Sequence, residues 1–165
     1  MRKMTLAALL ALAVPAAAFA DDTPSPTGLA QAACKSEKAQ MGTRTFKATY
    51  AASTAFAATT ACVAKRDGGA ETALKNAAKA CKAERAADPA AFTTKYGTNK
   101  NGKNAYGKCV SGKARHATEQ ETEARVNAAK TCRKLKAEQK ATFEADYGTN
   151  KNAFAKCVAQ TAKAS

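Results

Sequence analysis

The chain contains no tryptophan, no isoleucine and a single histidine. Beyond residue 20 its leucines, valines and phenylalanines are Leu29, Leu74, Leu135, Val63, Val110, Val126, Val158, Phe46, Phe56, Phe92, Phe143 and Phe154. That share lies far below the ~20% of Leu, Ile, Val and Phe at which folding into a globule becomes doubtful. Alanine takes their place, which favours helix but buries little area. Long apolar runs are missing as well: past residue 20, none approaches the ~20 residues of a membrane span. No Cys-x-x-Cys, Cys-x-x-Cys-His or Cys/His cluster occurs, which removes the common zinc and haem-attachment patterns. No phosphate loop or nucleophile elbow is present. Neither a catalytic centre nor a cofactor is expected.

What the chain does have is one cysteine-bearing segment written three times. Cys34 and Cys62, Cys81 and Cys109, and Cys132 and Cys157 form successive pairs, and Val63, Val110 and Val158 follow the second member of each. The tract Tyr96-Gly97-Thr98-Asn99-Lys100-Asn101 returns as Tyr147-Gly148-Thr149-Asn150-Lys151-Asn152. Cysteines used once per half segment read as structural staples. Six cysteines allow about 15 pairings, and a self-contained segment favours the three pairs just named. A core this thin needs such links.

The first twenty residues read as a secretory signal, with Arg2 and Lys3 before an apolar run and Ala18-Phe19-Ala20 as a small-x-small cleavage site. An exported, secreted or envelope-located chain would meet an oxidising compartment, where disulfides persist. Residues 21–28 read as a flexible leader, followed by helical segments at 29–68, 69–117 and 118–165. Asp67-Gly68-Gly69 marks the first boundary as a turn signal. Thr118 and Glu121 have capping-box spacing at the second. The expected fold is all-α, with three stapled, hairpin-like helical segments in tandem.

Within the second segment, Ala70, Leu74, Ala77, Ala78 and Cys81 share one helical face, and Lys75, Lys79 and Lys82 share another. Asp88-Pro89 has the N-cap and first-position pattern of a new short helix. That helix ends at Tyr96, with Gly97 expected in the left-handed cap position. A straight hairpin would leave Cys81 and Cys109 at unequal distances from the turn, so either the first limb folds back at a break, which is the favoured reading, or the disulfides join different partners. Gly42 and Pro89 supply the break in two segments. Lys140 and its neighbours have neither property, which leaves a continuous helix open in the third.

The Tyr-Gly-Thr-Asn-Lys-Asn tract, followed by an aromatic residue and Lys-Cys-Val, resembles repeats of uncharacterised secreted bacterial proteins. It stands here at Tyr96 to Asn101 with Tyr106, Lys108, Cys109 and Val110, and at Tyr147 to Asn152 with Phe154, Lys156, Cys157 and Val158. The first segment departs from it at Tyr50-Ala51-Ala52-Ser53-Thr54. The resemblance implies export and repetition and carries no activity or site.

Charge is the functional hint. The chain holds 27 Lys and Arg against 13 Asp and Glu, and residues 69–118 hold ten bases against three acids. A basic surface attracts polyanions in a salt-dependent way. The expected role is a non-enzymatic binding or structural protein of the cell envelope or secretome. Its partner would be an anionic polymer: wall polymer, acidic polysaccharide or extracellular DNA. The candidate contacts are Lys75, Lys79, Lys82, Lys100, Lys103, Lys108 and Lys113. The alternative is a membrane-active cationic protein of antimicrobial type, which wants a bulky apolar face that the composition hardly supplies. The loop Gly97–Gly102 lacks the carboxylates of a calcium site, and Lys108 stands where its bidentate Glu belongs. His116 and the carboxylates Glu119, Glu121 and Glu123 read as solvated residues and a helix start, not as an acid–base pair.

Overall fold

The computed structural model describes residues 23–164; the first twenty residues, read above as a secretory signal, lie outside the described residues. Among these residues the elements are α1 (Pro26–Thr49), α2 (Ala55–Ala87), α3 (Pro89–Tyr96), α4 (Ala105–Glu138), α5 (Lys140–Tyr147) and α6 (Ala153–Lys163), with no strand. The fold is all-α.

Local chemistry accounts for three of the six helix starts. The Ser25 hydroxyl accepts from the Gly28 amide and Pro26 occupies the first turn, so α1 begins inside the stretch expected to be flexible. The Thr54 hydroxyl caps α2 through the Ala57 amide. Asp88 caps α3 through the Ala91 amide, ahead of Pro89.

Two expected boundaries are absent. Asp67-Gly68-Gly69 lies in the interior of α2, and residues 117 and 118 lie in the interior of α4. Thr118 caps nothing: it is buried and donates to the Arg115 carbonyl. Each long helix therefore carries the end of one cysteine segment straight into the start of the next. Glycine costs a helix interior only ~1 kcal/mol, and packing along the helix outweighs that.

The breaks fall where the bridges need them. α1 is kinked at Gly42, whose φ of 77° is left-handed. α2 stops at Asp88 before α3. The third segment breaks too, at Gln139 (φ −133°) between α4 and α5, so the continuous helix left open there does not form. Neither proline nor glycine causes it. After each break an aromatic pair one turn apart packs inward: Phe46–Tyr50, Phe92–Tyr96 and Phe143–Tyr147, with ring centroids 5.0, 4.9 and 5.2 Å apart. Burying Phe143 in the core rewards the third break.

The disulfides are Cys34–Cys62, Cys81–Cys109 and Cys132–Cys157, each with Cα atoms 6.0 Å apart, so each bridge closes within its own segment. Cys81 meets Cys109, while Arg66, earlier in α2, meets Thr118 and Thr122, later in α4. These two helices are therefore antiparallel. Glu37 meets Arg125 and Thr45 meets Arg133, so α1 and α4 are parallel. With α6 returning along α4, the long elements form an up-down-up-down bundle flanked by the short α3 and α5.

Two apolar clusters share this bundle. One gathers Phe46, Tyr50, Val126, Phe143, Phe154 and Val158 around the first and third bridges. The other gathers Leu29, Phe92 and Val110 around the second. Buried alanines such as Ala30, Ala58, Ala70, Ala114 and Ala129 fill the spaces between helices. Phe56 belongs to neither cluster; it is 82% exposed.

Candidate functional site

The surface lysines follow from the same helical periodicity. Lys75, Lys79 and Lys82 are exposed along α2, opposite the buried Ala77 and Cys81. Lys75 is paired with Glu71 one turn earlier at 2.6 Å, and this ammonium holds the Glu71 carboxyl below its usual range. Lys100 and Lys103 are exposed in the connection between α3 and α4.

That connection is built by asparagine side chains. Asn101 accepts from the Lys103 amide, and Asn104 accepts from the Thr98 amide while donating to the Thr98 hydroxyl. Gly97 is needed there for close approach, not for a left-handed backbone: its φ is −73°, and a β-carbon would lie 2.5 Å from the Thr93 carbonyl oxygen. The left-handed glycine at this point of a segment is Gly148, with φ 88°.

Lys108 and Lys113 are half-buried. Lys113 sits 3.3 Å from Glu84, which also receives Lys95 at 2.8 Å and the Tyr96 hydroxyl at 3.1 Å. Lys95 first, helped by Lys113 and Tyr96, lowers the Glu84 pKa. The structure thus gathers Lys95, absent from the sequence-derived set, with Lys113 around one carboxylate. Lys79, Lys82, Lys100 and Lys103 are left exposed and without an ion pair among the described residues.

A buried ionic layer was not anticipated. Glu37 is 0% exposed. It accepts from the Tyr50 hydroxyl (2.9 and 3.0 Å), from Arg66 Nη1 (3.1 Å) and from Arg125 Nε (3.3 Å). Arg66, 3% exposed, also donates to the Thr122 hydroxyl at 2.6 Å and to the Thr118 carbonyl at 3.3 Å. Glu121 lies 3.9 Å from Arg66 and supplies a second negative charge to balance two arginines. The Arg125 guanidinium lies 5.2 Å from the centre of the Tyr50 ring. Burial, reinforced by the Glu37 charge, pushes the Tyr50 hydroxyl far above its ordinary range.

This layer ties α1, α2 and α4 together where α2 and α4 pass from one apolar cluster to the other. Among the described residues no buried side-chain polar atom lacks a partner, as a structural network requires. Its signal was present in the segment spacing. Glu37 and Glu84 each stand three residues after a first cysteine, and Arg66 and Lys113 four after a second. In the third segment Leu135 and Thr161 hold those places.

His116 is exposed in α4, with its Nε2 3.3 Å from Gln120 Nε2; it is not in a linker. No helix among the described residues is long and apolar enough to cross a membrane. Comparison with protein-family models, curated proteins and solved structures finds no match for this chain.

Proposed function

We propose that the chain is an exported, non-enzymatic cationic protein that binds anionic polymers of the cell envelope or its surroundings. The observation that carries this reading is the use of the acids between residues 69 and 118. Glu71 is taken by Lys75, Glu84 by Lys95 and Lys113, and Asp88 by the cap of α3. The charge of Lys79 and Lys82 on α2, and of Lys100 and Lys103 in the connection between α3 and α4, therefore goes uncompensated, with α2 and α4 joined by the Cys81–Cys109 bridge. Fixed ammonium groups attract a polyanion without selecting its sequence. Three disulfides suit an oxidising extracytoplasmic compartment, in keeping with the leader-like first twenty residues.

The test is binding of the oxidised protein to wall polymer, acidic polysaccharide or duplex DNA across a salt series. The logarithm of affinity should fall linearly with the logarithm of salt concentration. Replacing Lys79, Lys82, Lys100 and Lys103 by alanine should flatten that slope by up to about 0.9 for each DNA phosphate that is no longer neutralised. An unchanged slope removes this surface as the binding face. Vesicle leakage without polymer binding would favour the membrane-active class instead.

A further inference from the structure

The geometry points to a second anion site at the other end of α2, taking a phosphoryl dianion. A cleft of about 320 Å³ opens there, lined by Lys47, Ala48, Ala51, Ala52, Ser53 and Lys151. One wall is the turn from α1 into α2. The Ala52 amide donates to the Lys47 carbonyl at 2.9 Å and the Ala51 amide to the Ala48 carbonyl at 3.2 Å, with Ala51 left-handed at φ 51°. This double hydrogen bond is the Schellman closure. It fixes the wall and occupies two carbonyl oxygens that would otherwise repel an anion. The opposite side comes from the connection between α5 and α6, which carries Lys151.

Two lysines from distant parts of the chain thus line one cleft. No carboxylate lines it, and neither lysine has an ion pair among the described residues. Two like charges without a counter-charge raise the free energy of the empty cleft, and a dianion relieves both at once. Lysine serves phosphate as a point charge, and the exposed Ser53 hydroxyl adds a hydrogen bond donor.

Phe56 follows Ser53 by one turn of chain and is 82% exposed. It stands six residues before its segment's second cysteine, where the other two segments carry Lys103 and Lys151. Phe56 does not line the cleft, but an exposed ring three residues on from Ser53 suits a phosphomonoester that carries an apolar substituent, as phosphatidic acid does. The cleft is separate from the α2 lysines: Lys79 lies roughly 36 Å along the helix from Ala55 at 1.5 Å per residue. The inference does not rest on the polymer-binding reading.

The test uses the full oxidised chain with inorganic phosphate, followed by calorimetry and by amide chemical shifts. Saturable binding is expected, with shifts confined to Lys47–Phe56 and Asn150–Asn152. K47A/K151A should weaken it at least tenfold, and K47R/K151R should restore most of it. The K79A/K82A pair should leave phosphate affinity unchanged while weakening polymer binding, so the two sites fail or hold separately. Vesicles containing phosphatidic acid against vesicles of phosphatidylcholine alone, with and without F56A, tell the sources apart. Phe56-dependent binding to the anionic vesicles identifies a lipid headgroup, and binding of free phosphate alone identifies the small anion. Failure of millimolar phosphate to saturate the protein, or K47A/K151A binding it as tightly as the parent, overturns the assignment.

Discussion

Replacing Glu37 by alanine should cost about 3 to 5 kcal/mol of stability, the penalty of removing one partner from a buried ionic network. The size follows from who is left behind. Arg66 is 3% exposed and would lose its only fully buried carboxylate among the described residues, since Glu121 is 3.9 Å away and half in water. Arg125 would lose its only carboxylate partner among the described residues, and the Tyr50 hydroxyl its acceptor. For a chain of this size such a loss lowers Tm by roughly 10 °C. Urea unfolding of the oxidised protein, followed by far-ultraviolet circular dichroism, reads the change directly. The E37A/R66A double variant should be less damaged than the sum of its parts, with an interaction of about 1 to 3 kcal/mol, because charge and counter-charge leave together. Glu84→Ala is the control: its carboxylate likewise meets two cations and a tyrosine hydroxyl, but they are lysines and the cluster faces solvent, so it should lose less. A cost for E37A under about 1 kcal/mol, with an unchanged denaturant slope, would refute the claim that this layer is dry and closed.

Three further outcomes are expected. Gly68→Ala should stabilise the protein by about 1 kcal/mol in the same unfolding assay, because Gly68 sits mid-helix with nothing within 4 Å of an added β-carbon; destabilisation would mean that the chain turns there. The raised Tyr50 pKa means the folded chain keeps a proton that the unfolded chain releases, so its stabilising effect is complete below about pH 10 and declines as pH rises through that value. Tyr50→Phe should remove that component, and identical alkaline slopes for variant and parent would contradict it. The bridges close spans of 28, 28 and 25 residues, each stabilising by about 3.5 kcal/mol in the chain-entropy model. Their cysteines are at most 1% exposed, so thiol titration under mild reductant should show reduction only as urea opens the fold; rapid reduction of the native protein would count against their burial.

The sequence by itself determined helix as the only element, the six cysteines as staples, the inward stripes, and a surface rich in lysine. These are local or periodic properties: alanine propensity, spacing of 3.6, and the N-cap of α3 at Asp88 are written in neighbouring residues. Packing decided the rest. Gly68 and Gly69 look like a turn in isolation, but the helix passes through them because its flanking buried residues, Cys62, Arg66 and Ala70, must stay in register against α4. Gln139 carries no breaking tendency, but the chain breaks there so that Phe143 reaches the core and Cys132 reaches Cys157. Nothing in the residues adjacent to Glu37, Arg66 and Arg125 marks these charges as buried. Only the meeting of α1, α2 and α4 removes water from around them and turns them into a shared ionic layer. Lys47 and Lys151 likewise come to one cleft only through the closing of the bundle, since no local rule connects residues so far apart in the chain.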